Sequence, residues 1–154
     1  MDVARRLAAQ RRVISSGSLA IDTLLEGGYR AGEIVEVFGE SKTGKTQLAI
    51  QAVLSAASSR LGSVFVDTEG TFRPERLAKM SELRGEDPKA VLSRVFSIRA
   101  ETTARQIESI SMMQNDPRVA GSKMLVVDTV SKNFSVEFGG ERKLKMRQSL
   151  LSVY

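Results

Sequence analysis

EIVEVFGESKTGKTQLAIQAVL, residues 33–54, is the stretch on which the fold turns. Its opening, EIVEVF (33–38), is a short run of β-branched and aromatic residues. That pattern predicts a strand buried on both faces. Its far end begins a helical pattern, TQLAIQAVLSAASS (46–59), which places Leu48, Val53 and Ala56 around one side, with Ile50, Leu54 and Ala57 nearby. A helix so apolar is expected to be heavily buried. Between the two lies GESKTGKT (39–46), a match to G-x-x-x-x-G-K-[ST]. At average composition a chance match in a chain this long is on the order of half a percent. The strand before it and the helix after it are the context the motif needs.

Outward from this centre the alternation repeats. SVFVD (63–67), RVFSI (94–98) and KMLVVD (123–128) read as strands, and PERLAKMSEL (74–83) and TTARQIESISMM (102–113) as helices. Pro74 suits a first helical turn. Ala104, Ile107, Ile110 and Met113 recur at helical spacing. Strand–helix–strand repetition implies right-handed parallel crossovers, hence an α/β fold: a mainly parallel sheet with helices on both faces. Ligands in such sheets sit beyond the carboxyl ends of the strands. Polar residues gather there at Gly39 onward, at Asp67 to Glu69, and at Asp128.

Composition restricts the chemistry. The chain has 154 residues, 42% hydrophobic and 27% charged, ordinary proportions for one folded domain. It contains no Cys and no His. Disulfides, thiolate or imidazole metal sites, Cys nucleophiles and Ser-His-Asp catalysis are therefore excluded. No apolar run approaches the roughly 20 residues of a membrane span, and the N-terminal residues have no signal-peptide core. The net charge of +5 is concentrated: residues 1–12 and 141–147 each carry four cations against one acid. Such patches suit a polyanion, and equally the solvated face of a helix.

The phosphate chemistry follows from residue types. Gly39 and Gly44 permit a tight turn, so that successive N–H groups of Glu40, Ser41, Lys42 and Thr43 converge on phosphate oxygens. The positive end of the next helix faces the same anion. Lys45 offers a point charge to the β- and γ-phosphates of a nucleotide, and the Thr46 hydroxyl can ligate Mg²⁺. Asp128, closing the apolar strand MLVVD, has the form of the Walker B carboxylate that holds Mg²⁺ through water. Thr129 follows it, so no glutamate stands beside the metal aspartate. A water-positioning group must then come from another strand end, and Glu69 in TEGT is the candidate. A solvated loop acid has the same appearance.

Several segments together resemble the RecA/RadA recombinase family, above all its archaeal and eukaryotic strand-exchange branch. They are ISSGSLAIDTLLEGGYRAGEIVEVFGESKTGKT, VDTEGTFRPERL, IRAETTARQ, and LVVDT followed by a glycine loop and KMRQ. GESKTGKT alone indicates only a phosphate loop; DTEGTFRPERL is much narrower. The resemblance implies a RecA-like P-loop NTPase core over residues 17–154, with 1–16 as a linker and short basic helix. It implies ATP and Mg²⁺ as cofactors, Gly39 to Thr46 on phosphates, Asp128 toward the metal, Glu69 orienting the attacking water, and Arg76 packed on the adenine.

The resemblance also implies partners. SVEFGGERKLKMRQ matches the family's first DNA-binding loop, so Arg142, Lys143, Lys145 and Arg147 are expected to meet single-stranded DNA. Two positions depart from the pattern: Ser135 and Glu141 stand where the family usually has arginines, and only Arg147 falls in register without a gap. Other recombinase subunits in a filament or homo-oligomer are implied, with no membrane. A cytoplasmic, nucleoid-associated location is implied, or a nuclear one in a eukaryote. The expected function is ATP-dependent recombination and DNA repair; the alternative is an ATP-binding paralogue that assists a recombinase without exchanging strands. A GTPase is disfavoured by the lack of N-K-x-D, and a small-molecule kinase by the lack of an arginine-rich lid. The family's N-terminal domain, polymerisation phenylalanine, later strands and second DNA loop have no counterpart here, and LLSVY stops inside an apolar helical pattern. A core incomplete at its C-terminus is therefore expected, with an unpaired sheet edge and at most weak ATPase activity.

Overall fold

GSVFVD forms the central strand because five of its six residues are buried and both of its edges find partners. The computed structural model describes residues 12–137. In chain order the elements are β1 (Val13–Ile14), α1 (Leu19–Leu24), β2 (Tyr29–Arg30), α2 (Lys45–Ser58), β3 (Gly62–Asp67), α3 (Pro74–Leu83), α4 (Pro88–Leu92), β4 (Val95–Arg99), α5 (Thr103–Asn115), β5 (Ser122–Asp128) and α6 (Lys132–Glu137). The main sheet has the order β4-β3-β5, parallel throughout. Its register sets Asp67 opposite Arg99 on one side and Asp128 on the other, so three polar strand ends are level. β1 and β2 form a separate antiparallel pair.

Alternation along β3 divides the core in two. Phe65 faces α2, α3 and α4, packing with Ile50, Val53, Leu54, Leu77 and Val91. Val64 and Val66 face the other way, against Val119 and Ala100, with Ile98, Met113 and Val127 around them. Helices thus cover both faces, as the sequence predicts. Ile50, Leu54, Phe65 and Leu77 are fully buried, and each such side chain contributes about 1.5–3 kcal/mol. Phe72 closes the first cluster, its ring centroid 4.6 Å from that of Phe65. Ile14 anchors the small sheet by packing with Ala56 and Leu61.

The helices begin where local chemistry dictates. Pro74 opens α3, its missing N–H costing nothing in a first turn. The Thr102 side chain accepts from the Arg105 amide and caps α5. Gly44 caps α2 with φ of 99°, a left-handed conformation that glycine adopts without strain.

One expected element is absent. Residues 33–38 form no strand, and Ile34 and Phe38 are 66% and 89% exposed. A cavity of about 980 Å³ separates this segment from β5. The physical reason is that a strand is defined by its neighbours. Among the described residues the outer edge of β5 has no strand beside it, and Met124 to Val127 are only half-buried. The outer edge of β4 is likewise unpaired among the described residues. Of the linker and short basic helix expected over residues 1–16, residues 1–11 lie outside the described residues, and Val13–Ile14 form β1 instead; the LLSVY end also lies outside the described residues. No described helix is long and apolar enough to cross a membrane.

Candidate nucleotide site

The phosphate loop is built from the backbone outward. Lys42 at φ 66° and Gly44 at φ 99° turn the chain sharply ahead of α2. The Thr43 hydroxyl donates to the Glu40 carbonyl at 2.9 Å, bracing the turn. Among the described residues none of the backbone N–H groups from Glu40 to Gln47 has an acceptor. A run of unpaired amides at a helix start is a site for an anion. Lys45 folds back over the loop, its ammonium donating to the carbonyls of Gly39 (2.9 Å) and Glu40 (2.6 Å). That contact holds the cation at the mouth of the loop.

Thr46 and Asp128 are 82 residues apart in sequence, yet the Thr46 hydroxyl donates to Asp128 Oδ2 at 2.6 Å. Asp128 is buried. One hydroxyl and one carboxylate suit a hard cation that keeps several waters, the preference of Mg²⁺. Among the described residues no group of three or more acids could enclose a metal, so a fully protein-ligated cation is not what this donor set fits.

The loop after β3 is held by Asp67. Its Oδ1 accepts from the amides of Glu69 (3.1 Å), Gly70 (2.6 Å) and Thr71 (3.2 Å), and Oδ2 accepts from Phe72 (3.1 Å). Arg99 stands 3.6 Å from Oδ2. Gly70, at φ 73°, lies under the Arg99 guanidinium, and a Cβ there would collide with it. Thr68 is fully buried. Its amide donates to the Asp128 carbonyl at 2.9 Å, and its hydroxyl pairs with both the amide and the carbonyl of Thr129. The loop that carries Glu69 is thereby sewn to the loop after Asp128. Glu69 itself is exposed, and among the described residues its carboxylate has no partner.

The structure therefore brings Lys45, Thr46 and Asp128 together and joins the Glu69 loop to them through Thr68 and Thr129. Arg76 lies in the first turn of α3 and donates to the Gln47 side chain on α2, next to Thr46. Glu40, Ser41 and Lys42 are exposed along the loop. Arg142, Lys143, Lys145 and Arg147 lie outside the described residues. Sequence reasoning placed Asp67 with Glu69 among the polar strand-end residues and did not read it as the acceptor that holds the loop, although Asp followed by Gly three residues on is a turn signal. It missed Lys132, whose ammonium donates to the Thr68 carbonyl at 2.9 Å. No sequence signal marks that contact.

Residues 9–154 match the Rad51 family model. The chain belongs to the Rad51 family of RecA/RadA-type recombinases. Among members, it is 37% identical to the DNA repair and recombination protein RadA of Metallosphaera sedula over 151 residues, covering 94% of this chain and 47% of that protein. It is 40% identical to RadA of Aeropyrum pernix over 149 residues, with 90% and 46% covered. It is 38% identical to a meiotic recombination protein DMC1 homolog of Glycine max over 145 residues, with 90% and 42% covered. The chain thus spans a little under half the length of these curated relatives. The parallel sheet with helices on both faces is that of a RecA-like α/β core.

Proposed function

We propose that this chain is the phosphate-loop part of an ATP-dependent recombinase, binding and hydrolysing ATP and binding single-stranded DNA in homologous recombination and repair. The observation that carries the reading is the Thr46–Asp128 hydrogen bond beside Lys45, at the head of a helix whose first amides have no acceptor among the described residues. The relatives' names, which speak of DNA repair and recombination, support the biological role. Residues 17–154 form the core in this reading, joined by Val13 and Ile14 through β1, with the residues before them as linker.

Each residue then has a task. The amides from Glu40 to Thr46 bind phosphate oxygens, and Lys45 neutralises charge at the β- and γ-phosphates. Thr46 and Asp128 are the residues that would hold Mg²⁺, which would neutralise charge on the phosphates. Bound Mg²⁺-ATP supplies the electrophilic γ-phosphoryl group. Glu69 orients water toward it, the carboxylate accepting a hydrogen bond. Arg76 offers a planar cation to the adenine face. Arg142, Lys143, Lys145 and Arg147 contact DNA phosphates. Other recombinase subunits are the expected protein partners.

The test is Glu69→Gln, assayed by Mg²⁺-ATP binding and by turnover with single-stranded DNA. We expect binding within about twofold of wild type and turnover down roughly 10²-fold or more. Unchanged turnover would sink the assignment of Glu69. A second reading, an accessory paralogue that binds ATP without exchanging strands, is favoured by Ser135 and Glu141 standing at arginine positions of the family. DNA-stimulated turnover together with strand exchange counts against it.

A further inference from the structure

We propose that Lys132 is a positioning residue for Glu69, acting by locking the one peptide plane that aims the Glu69 side chain. The inference rests on the reading of Glu69 above and deepens it.

The Thr68–Glu69 peptide carries two polar groups, the Thr68 carbonyl and the Glu69 amide. Both are engaged, from opposite sides. The carbonyl accepts from Lys132 Nζ at 2.9 Å, and the amide donates to Asp67 Oδ1 at 3.1 Å. Fixing both ends of a rigid plane fixes the dihedrals on either side of it. One of those is φ of Glu69, which sets the direction of its Cα–Cβ bond. The two contacts also reinforce each other. An ammonium on the carbonyl polarises the peptide and makes its N–H a better donor to the carboxylate. Asp67 alone would leave the plane free to tilt about its hydrogen-bonded edge.

The lysine is rigidly mounted. It opens α6, and the next residue, Asn133, is buried and donates to the Ala100 carbonyl (2.9 Å) and to Gln106 Oε1 (3.2 Å). Gln106, fully buried on α5, donates to the Val130 carbonyl at 3.2 Å. At the other end of α6, Glu137 accepts from the Thr103 amide at 2.9 Å. The base of the Lys132 side chain is therefore braced against β4 and α5. Any shift of α6 moves the ammonium, and with it the peptide that carries Glu69. The basic segment assigned above to DNA contact follows α6 in the chain.

The experiment compares Lys132→Met, Lys132→Arg, Glu69→Gln and the double variant Glu69→Gln/Lys132→Met. ATP turnover with single-stranded DNA and amide hydrogen exchange by NMR are both measured. For Lys132→Met we expect kcat to fall about tenfold with KM for Mg²⁺-ATP within about twofold, and Lys132→Arg to recover most of the loss. The double variant should turn over no more slowly than Glu69→Gln, because a residue acting through Glu69 has nothing left to orient. Exchange in Lys132→Met should quicken about fivefold or more at Glu69, Gly70 and Thr71, with Phe65 and Val66 unchanged. This last readout needs no nucleotide. Unchanged loop exchange overturns the role of Lys132. A raised KM at constant kcat overturns it too, by making Lys132 a nucleotide contact. If Glu69→Gln is slow while Lys132→Met is not, the Lys132 proposal fails alone. If Glu69→Gln turns over normally, the reading of Glu69 fails first.

Discussion

Replacing Asp67 by Asn tests how the Glu69 loop is held. The carboxylate accepts four backbone N–H groups, three on Oδ1 and one on Oδ2. Asn keeps one acceptor oxygen and turns the other position into a donor. With the oxygen toward Glu69, Gly70 and Thr71, the NH₂ group faces the Phe72 amide and the Arg99 guanidinium. The buried Phe72 N–H then has no acceptor, a loss of about 1–3 kcal/mol. The three remaining bonds fall from charge-assisted to neutral, which adds roughly 1 kcal/mol once the loop relaxes. The total is about 2–4 kcal/mol. Phe72 is 8% exposed and its ring lies on Phe65, so loosening its backbone also loosens the first core cluster. Urea unfolding is the assay, and with m near 2 kcal/mol/M the midpoint should drop by about 1–2 M. Asp87→Asn is the control. Asp87 accepts the Lys89 amide at an exposed cap, where Asn serves equally well, and its midpoint should not move. Equal midpoints for wild type and Asp67→Asn would refute the four-bond account.

Further predictions follow the same geometry. Lys45→Ala removes the cation at the loop mouth and should weaken Mg²⁺-ATP binding by tenfold or more, about 1.5–3 kcal/mol, measured by calorimetric titration. Gly70→Ala places a methyl against Arg99 at a positive φ and should cost about 1–3 kcal/mol in urea unfolding. The Arg118 hydrogen bond pulls the Asp116 carboxyl down to about 2. A depressed acid stabilises the fold above its ordinary value near 3.9 and loses that contribution as pH falls toward 2. Carboxyl NMR titration should show Asp116 titrating near 2 in wild type and higher in Arg118→Gln, still below its ordinary value because the residue-118 amide keeps donating to it. Replacing Arg142, Lys143, Lys145 and Arg147 together by Ala should weaken single-stranded DNA binding and flatten its salt dependence. The log–log slope should fall by about 0.7 for each phosphate that is no longer neutralised.

What the sequence determined by itself is what short stretches of chain can specify. The turn and helix start at residues 39–46 were legible because the glycines, lysine and threonine lie within eight residues and set the local backbone directly. The α3 limits, 74–83, were legible from Pro74 and the helical period that follows it. Strands β3, β4 and β5 were legible as short β-branched runs, each to within one residue at either end. Tertiary structure decided the rest. Residues 33–38 carry the same apolar signal as β3, but pairing depends on which edges lie alongside, and that is not written in the segment. A hydrogen bond joins Thr46 to Asp128 across 82 positions. Lys132 reaches Thr68 across 64. Contacts at such separations leave no local period or composition behind, because a hydrogen bond constrains only the two groups it joins. Asp67 and Glu69 show the division within three residues: both are acids at the end of one strand, and only the folded loop turns one inward onto four amides and leaves the other exposed.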